Sequence, residues 1–324
     1  MSHQYRLSVI IPVYNVENHI AKCLDSVLSQ SDETVEIICV NDGSPDNSRQ
    51  IISEYIAKNK NIKCIDRPNG GLSAARNSGL LAAQGEYIVL LDSDDWLEEN
   101  VLSALYQQAK TNDLDVLIGN TKWIYPQKTH VENQNSAAVL PTLTSGVDAL
   151  IKLMQAEIYV PMAYNYICKR DFIISYKLFF KEGLIYEDEL WTPQVLLKAN
   201  RVSASGLYHY NYLQRENTIT NTEGSQLKAD SFFYVSKQIL ALSTIKNDTD
   251  LKECLWLRAA ILYSRGMSMQ KELNNDVKQD FKITWRDLRN AGLSNSGFNK
   301  CLGFLGYSKN QRRIIRLIHK TIGR

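Results

Sequence analysis

The chain has 324 residues, a length that fits one large domain or a domain with a smaller addition. Its residues are 44% hydrophobic and 22% charged, and the formal net charge of +2 argues against a general nucleic-acid-binding protein, which carries a strong basic excess. The six cysteines are scattered, without a CxxC pair or metal-ligand spacing, which predicts a reducing compartment and no disulfide framework.

Short apolar stretches alternate with helical ones through the first third of the chain. The apolar, β-branched runs predict buried strands at 7–15, 35–44, 62–68 and 86–96. Helices are predicted between and after them at 20–28, 48–59, 71–85 and 97–110, with Gly85 as the C-cap of the third. This alternation predicts an α/β fold with a sheet covered by helices on both faces, in which ligands bind at the carboxyl ends of the strands.

The regular alternation of predicted strands and helices ends at about Asp115. A further strand is predicted at 115–125, then a polar loop at 126–145 and a helix at 146–155. A second helix is predicted at 189–200, with Thr192 and Pro193 placed at its opening, and a strand with alternating aromatic residues follows it. Nearly everything after about residue 224 has helical character. We therefore predict a mixed, mostly parallel sheet domain over 1–220 and a helical region over 221–324.

Polar residues follow three of the predicted strands, and the stretch LLDSDDW (90–96) crowds three carboxylates together. Such neighbours raise each other's pKa unless a cation or a helix N-terminus lies among them. Asp95 and Glu98 have the spacing of a helix capping box, which leaves Asp92 and Asp94 to explain. Carboxylate oxygens in a D-x-D pair suit Mg²⁺ or Mn²⁺ that also binds phosphate, although the pair alone is a weak motif.

Four segments occur in one order: VIIPVYN, VNDGSPDNS, NGGLSAARNSGLLAAQG and EYIVLLDSDDW. With these motifs the chain resembles a family 2 glycosyltransferase of the GT-A fold, a Rossmann-like nucleotide-sugar-binding fold, densely over 6–105 and loosely to about 221. The resemblance implies an inverting, metal-dependent, non-processive transferase that uses a nucleotide sugar, with UDP-sugar favoured, and Mn²⁺ or Mg²⁺. Its acceptor would be a glycan or lipid-linked oligosaccharide in cell-surface polysaccharide, capsule or lipopolysaccharide synthesis.

The resemblance also assigns the nucleotide half of the domain, 1–115. Pro12 and Tyr14 would line the nucleoside pocket, and Asp42 would accept a hydrogen bond from the base. Arg76 would reach the nucleotide phosphates. From the residues alone, Tyr14 could instead be a core tyrosine, Asp42 a turn former and Arg76 a solvated charge.

The remaining assignments concern the carboxylates and the glycines. Gly70 and Gly71 would let the backbone approach the ligand closely. Asp92 would contact the ribose and Asp94 would bind the metal.

The acceptor half, 116–220, contains an acidic triplet in the sequence YEDELW. These acids could simply favour a helix N-terminus. The family's catalytic carboxylate matches Asp188, with Glu187 as the substitute, and would act as a general base in a single displacement that gives a β-linkage from an α-linked donor. Arg215 would contact the donor diphosphate, and His209 could be a third metal ligand or a buried histidine.

The C-terminal segment 308–324 is basic, and its isoleucines share one face of a helical wheel. It could lie at an anionic membrane surface, pack on the catalytic domain or be a disordered end. No signal peptide and no run of about 18 apolar residues is present, so we expect a cytoplasmic protein, peripheral at the membrane if this helix binds lipid. A processive synthase is disfavoured because the Q-x-x-R-W motif is missing; a nucleotidyltransferase or an inactive nucleotide-sugar-binding protein is the alternative.

Overall fold

The computed structural model describes residues 3–125, 128–130, 135–214, 225–273, 281–306, 308–309 and 311–312. The chain folds into two compact units. One unit contains Met1–Gly183 and Glu187–Asn221, and the other contains Leu184–Tyr186 and Thr222–Arg324.

The first unit begins with the predicted alternation of strands and helices. The strands are β1 (Tyr5–Val13), β2 (Val35–Asn41), β3 (Ile62–Asp66), β4 (Gly85–Leu90) and the two-residue β5 (Trp96–Leu97). The helices are α1 (Ile20–Leu28), α2 (Ser48–Ile56), α3 (Leu72–Ala82) and α4 (Val101–Thr111). Strands β1 to β4 are parallel and lie in the order β3-β2-β1-β4, and their apolar residues form the core with one face of α1 and of α4.

The same sheet continues with strands from later in the sequence. These elements are β6 (Val116–Tyr125), β7 (Lys128–His130), α5 (Gly146–Gln155), β8 (Tyr166–Lys169), α6 (Arg170–Ser175), α7 (Asp188–Lys198) and β9 (Val202–Leu213). Strand β8 is antiparallel to both β4 and β6, β9 is parallel to β6, and β5 and β7 add antiparallel edges. The predicted mixed sheet is confirmed, and β7 occupies part of the predicted 126–145 loop.

The described residues of the second unit from 225 onwards form helices and short loops, as predicted. The helices are α8 (Gln226–Leu242), α9 (Thr249–Glu272), α10 (Trp285–Asn290) and α11 (Asn295–Phe304). In the part of the chain that the structure describes, no helix combines the length and apolarity needed to cross a membrane. Most of the basic C-terminal segment, 313–324, lies outside the described residues, so its amphipathic helix stays a prediction.

Three predicted helix boundaries are wrong. Helix α3 ends at Ala82 with Ala83 extended, so Gly85 is not its C-cap but the first residue of β4. Helix α4 begins only at Val101, because β5 first pairs with β9, so Asp95 and Glu98 form no capping box. Helix α7 begins at Asp188, which puts Pro193 inside the helix and not at its start.

The position of Gly85 has a steric cause. A Cβ atom there would lie 2.5 Å from the backbone nitrogen of Ser8 on β1. We expect Gly85→Ala to lower the free energy of unfolding by about 1–3 kcal/mol, the usual cost of overpacking, as measured by urea denaturation. Gly206→Ala is the matched control, because an added Cβ there meets no described atom within 4 Å. Equal stability of the two variants would contradict this account.

Candidate active site

Three neighbouring parallel strands end together at one edge of the sheet. In the register, Val13 of β1 lies beside Asn41 of β2, and Ile10 of β1 lies beside Leu90 of β4. The residues that follow these strands include Tyr14, Asp42 and Asp92, so the structure brings these three predicted site residues to the same edge. This is the edge at which ligands bind in sheets of this kind.

Pro12 determines where β1 and β4 separate. The carbonyl oxygen of Ile10 accepts a hydrogen bond from Leu91 N at 3.0 Å. Pro12 lies two residues later on the same side of β1 and has no N–H to donate, so the ladder to β4 ends there. Pro12 is buried, whereas 50% of the Tyr14 surface is exposed, as a ring available for stacking requires. Their role in a nucleoside pocket stays a prediction.

Asp42 connects the end of β2 to the start of α3. Its carboxylate accepts hydrogen bonds from Gly70 N at 3.0 and 3.1 Å and from Gly71 N at 2.7 Å, and Arg67 Nε lies 3.2 Å away. Gly71 has a φ of +85°, a conformation that glycine adopts without strain. The glycine amides thus orient Asp42, which is more than a local turn former; its contact with a base stays a prediction.

Arg76 on α3 lies at the centre of a buried ion-pair network. Nη2 contacts Asp92 Oδ1 at 2.8 Å, while Nη1 contacts Glu187 Oε1 at 2.7 Å and Asp188 Oδ1 at 2.9 Å. Burial alone would lower the pKa of this guanidinium, but the three carboxylates raise it well above its ordinary value. Arg76 is therefore no solvated charge, and its predicted contact with the phosphates stays a prediction.

The same network gives Asp188 an unusual protonation equilibrium. Burial raises the pKa of Asp188 to about 7 against the opposing effect of Arg76, and the negative charges of Glu187 and Asp92 add to the increase. Burial likewise raises the pKa of Glu187. The second oxygen of Asp188 accepts a hydrogen bond from Ala163 N at 3.1 Å, and 16% of the side chain is exposed. A held, accessible carboxylate that titrates near neutrality is suited to general-base catalysis.

Asp95 has a different function from the predicted helix cap. It is buried and accepts hydrogen bonds from Tyr210 Oη at 2.6 Å and Leu213 N at 2.7 Å. The Tyr210 hydroxyl also accepts a hydrogen bond from Asp92 N at 3.2 Å. Burial raises the pKa of Asp95, and the charges of Asp94 and Asp92 raise it further. Asp95 therefore ties the turn that carries the other two aspartates to β9.

The donor atoms fit a metal that the substrate helps to bind, and do not form a closed protein site. Among the described residues no group of three or more His, Cys, Asp or Glu side chains could hold a metal ion. Mg²⁺ in phosphate sites typically takes one or two carboxylates, and phosphate and water oxygens complete its coordination. Half-buried Asp94, beside Asp92, could supply such a carboxylate.

The ring nitrogens of buried His209 contact Asn120 O at 3.0 Å and Tyr164 O at 3.1 Å, as the buried-histidine interpretation predicts. Arg215 lies outside the described residues.

Several residues at the site were not predicted. Asn77 exchanges hydrogen bonds with the backbone of Phe180, donating at 2.9 Å and accepting at 2.8 Å. The Arg76 guanidinium carbon lies 5.2 Å from the centre of the Phe180 ring. Asn77 thus fixes an aromatic ring against Arg76. The one local indication in the sequence was Asn77 itself, because asparagine is unfavourable inside a helix unless its side chain binds elsewhere.

A family model and several relatives match the chain. The model described as Glycosyl transferase family 2 matches residues 8–168. The uncharacterized glycosyltransferase EpsJ of Bacillus subtilis (strain 168) is 35% identical over 221 residues, which are 67% of this chain and 63% of EpsJ. The poly(ribitol-phosphate) beta-glucosyltransferase of Bacillus spizizenii is 29% identical over 84% of this chain and 42% of its own length. The chain thus spans less than two thirds of the length of these two relatives.

Solved structures resemble the chain over most of its length. The crystal structure of S. aureus TarS 1–349 in complex with UDP-GlcNAc has a TM-score of 0.61 and 21% identity, covering 97% of this chain and 89% of that one. The complex of the same protein with UDP has a TM-score of 0.64, covering 97% and 88%. At this identity the likeness concerns the fold alone, and it supports the predicted GT-A fold.

The Arg76 network makes a testable prediction about stability. Arg76→Gln leaves buried carboxylates without a counter-charge, so we expect the free energy of unfolding to fall by about 3–5 kcal/mol at pH 8. Because the pKa of Asp188 in the folded chain is raised, the folded chain binds more protons than the unfolded chain between about pH 4 and 7, and stability falls as pH rises through this range. Without Arg76 the folded chain should keep these extra protons to a higher pH. The loss of unfolding free energy caused by Arg76→Gln should therefore be smaller at pH 5 than at pH 8.

Urea unfolding at pH 5 and pH 8 would measure both effects. Arg49→Gln is the matched control, because Arg49 pairs with Asp66 at 2.7 Å on the surface and should cost less than about 1 kcal/mol. If the deficit of Arg76→Gln is the same at both pH values, the network is not the source of its effect.

Proposed function

Because the chain belongs to glycosyltransferase family 2 and has its GT-A fold, we propose that it transfers a sugar from a UDP-sugar to an acceptor hydroxyl with inversion. The observation that carries the proposal is the Arg76 network. In this network one guanidinium contacts both Asp92 and Asp188. Asp92 lies at the edge where a nucleotide would bind, and Asp188 has a pKa of about 7.

The donor would bind along the edge formed by the ends of β1, β2 and β4. The half-exposed ring of Tyr14 would stack on the base, and the oriented carboxylate of Asp42 would accept a hydrogen bond from its N–H. A uridine nucleotide is supported by the likeness to a protein whose solved complexes contain UDP and UDP-GlcNAc. Asp92 would contact the ribose, and Arg215 would contact the diphosphate.

A divalent cation, Mn²⁺ or Mg²⁺, would be held by Asp94 together with phosphate oxygens of the donor. When bound it would neutralise negative charge on the departing diphosphate. The residues of the chain do the remaining chemistry. Asp95 and Tyr210 keep the aspartate turn fixed on β9, so that Asp94 is presented in one position.

The transfer itself would be a single displacement. Asp188 removes the proton of the acceptor hydroxyl as that oxygen attacks the anomeric carbon, and the bond from this carbon to the diphosphate oxygen breaks. Attack opposite the leaving group inverts the anomeric centre. Arg76 and Ala163 N hold the two Asp188 oxygens, and this orients the base towards the acceptor.

The acceptor would be a hydroxyl of a cell-surface glycan or of a lipid-linked oligosaccharide at the cytoplasmic face of the membrane. Relatives named for a polyol phosphate polymer and, in the cholesterol galactosyltransferase of Borreliella burgdorferi, for a sterol support a hydroxyl acceptor. The latter is 29% identical over 87% of this chain and 78% of its own length.

Asp188→Asn tests the base. The amide keeps an acceptor for Ala163 N but cannot take a proton, so we expect turnover to fall by about a hundredfold to ten-thousandfold with UDP affinity nearly unchanged. In the wild type, kcat/KM should fall as the pH drops below about 7, and this dependence should vanish in the residual activity of the variant. Glu187→Gln is the matched comparison, and an equal loss there would remove Asp188 as the assigned base.

Asp94→Ala tests the metal site by calorimetry. We expect UDP to bind the wild type more tightly with Mn²⁺ than without it, and the variant to lose this difference while binding metal-free UDP normally. GDP serves as the base-specificity control and should bind more weakly. UDP binding that depends on neither Mn²⁺ nor Asp94 would contradict the metal-assisted mechanism.

A further inference from the structure

The chain segment that follows β2 binds the backbone of the segment that follows β1. Three successive backbone N–H groups of residues 15–17 each donate a hydrogen bond to a side chain of residues 44–48. The bonds run from Asn15 N to Ser44 Oγ at 2.7 Å, from Val16 N to Ser48 Oγ at 3.2 Å and from Glu17 N to Asp46 Oδ2 at 2.8 Å. Backbone groups beyond the end of a strand need such partners, so the 44–48 segment determines the path of the chain after β1.

Asp46 is the centre of this arrangement. Its Oδ1 accepts hydrogen bonds from Ser44 Oγ at 2.6 Å and from Ser48 N at 3.1 Å. Burial would raise the pKa of Asp46, but hydrogen bonds, first from Ser44 and Ser48, lower it to about 2. The carboxylate is therefore ionised at neutral pH. Because the Ser44 hydroxyl donates its proton to Asp46, its lone pairs are left for Asn15 N.

The hydrogen bond from Asn15 lies next to Tyr14 in the chain. Asn15 has a φ of +54°, a left-handed conformation that is uncommon for residues other than glycine, so the backbone turns sharply directly after Tyr14. Half of the Tyr14 surface is exposed, so packing restrains its ring less than it restrains a buried tyrosine. The direction of the ring therefore depends on the backbone, and the peptide group between Tyr14 and Asn15 is the one that Ser44 binds.

The same segment is continuous with the other predicted base-binding residue. Asp42 lies two residues before Ser44, and its backbone N donates a hydrogen bond to Val13 O at 2.9 Å. Asn41 Oδ1 accepts a hydrogen bond from Ser44 N at 3.1 Å. The residues that carry the Tyr14 ring and the Asp42 carboxylate are thus connected through Val13 on one side and through Ser44 on the other.

We propose that Ser44 and Asp46 are positioning residues that hold the Tyr14 ring in the orientation in which it stacks on the base of the donor. This inference rests on the proposed function, in which Tyr14 stacks on the base and Asp42 binds its N–H. A ring that is already in the binding orientation loses less conformational freedom when the nucleotide binds, and this strengthens binding without a new contact to the ligand. Loss of the Ser44 hydroxyl should therefore weaken the binding of UDP.

Calorimetry of UDP binding with Mn²⁺ tests this role in a double-mutant cycle of Ser44→Ala and Tyr14→Ala. We expect Ser44→Ala alone to weaken UDP binding roughly fivefold, the usual effect of one hydrogen bond. Tyr14→Ala should weaken it by about 5- to 150-fold through the loss of stacking. In the double variant the loss of the Ser44 hydroxyl should have no further effect, because the ring through which it acts is absent.

Asp46→Asn is a second variant for the same role. Its amide has one acceptor oxygen where the carboxylate has two, so either Ser44 Oγ or Glu17 N loses its partner. We expect UDP binding to weaken as in Ser44→Ala, and again only when the Tyr14 ring is present. Normal UDP binding by Asp46→Asn would overturn the role of Asp46.

Thr34→Val is the matched control, because Thr34 lies just before the other end of β2. Its hydroxyl also joins an aspartate to an N–H donor, since it donates to Asp32 and accepts from Arg6 Nε. Loss of either hydroxyl should lower the thermal stability, but only Ser44→Ala should weaken UDP binding. A general loosening of the chain would weaken UDP binding in both variants.

Three results would overturn the positioning role while leaving the transferase proposal intact. The first is that Ser44→Ala weakens UDP binding equally with and without the Tyr14 ring. The second is that Ser44→Ala binds UDP normally although Tyr14→Ala binds it weakly, and the third is that Tyr14→Ala binds UDP as the wild type does. Failure of the wild type to bind UDP is a different outcome, because it would overturn the proposed function together with this inference.

Discussion

The buried guanidinium of Arg76 is the contact on which the rest of the site depends. It joins Asp92 to Glu187 and Asp188, which lie 111 and 112 residues from Arg76 in the sequence. One positive charge among three carboxylates is enough to hold them together but leaves negative charge in excess. Burial is the main cause that raises the pKa of Asp188 to about 7, and the excess negative charge adds to it. Cohesion between the two halves of the sheet domain and the availability of a base thus depend on the same network.

The features that the sequence predicted correctly are local ones. Hydrophobic runs and turn residues determine the strands of the first half, and Tyr14, Asp42 and Asp92 follow these strands directly, so their common edge could be predicted. The errors occur where pairing with a strand from a distant part of the sequence determines the local structure. Asp95 and Glu98 have the spacing of a cap, but pairing of Trp96 with Asn211 on β9 delays the helix and gives Asp95 other partners.

The unpredicted site residues owe their position to contacts across long sequence separations. Asn77 binds the backbone of Phe180, 103 residues away, and Tyr210 reaches Asp95 over 115 residues. No local pattern encodes such pairs, because each partner has an adequate local explanation by itself. Arg76 shows the same limit, since a helix sequence does not reveal which face will meet carboxylates from another part of the chain.

Pro12 has a consequence for where the pairing of β1 with β4 ends. Parallel strands continue to pair for as long as each can offer a donor to the next carbonyl, and nineteen of the twenty amino acids would offer one here. The pairing therefore stops just before the aspartate turn because one N–H is missing. A proline would weaken the middle of most sheets, but at this strand end it leaves the residues after Leu91 outside the ladder to β1 without adding side-chain bulk.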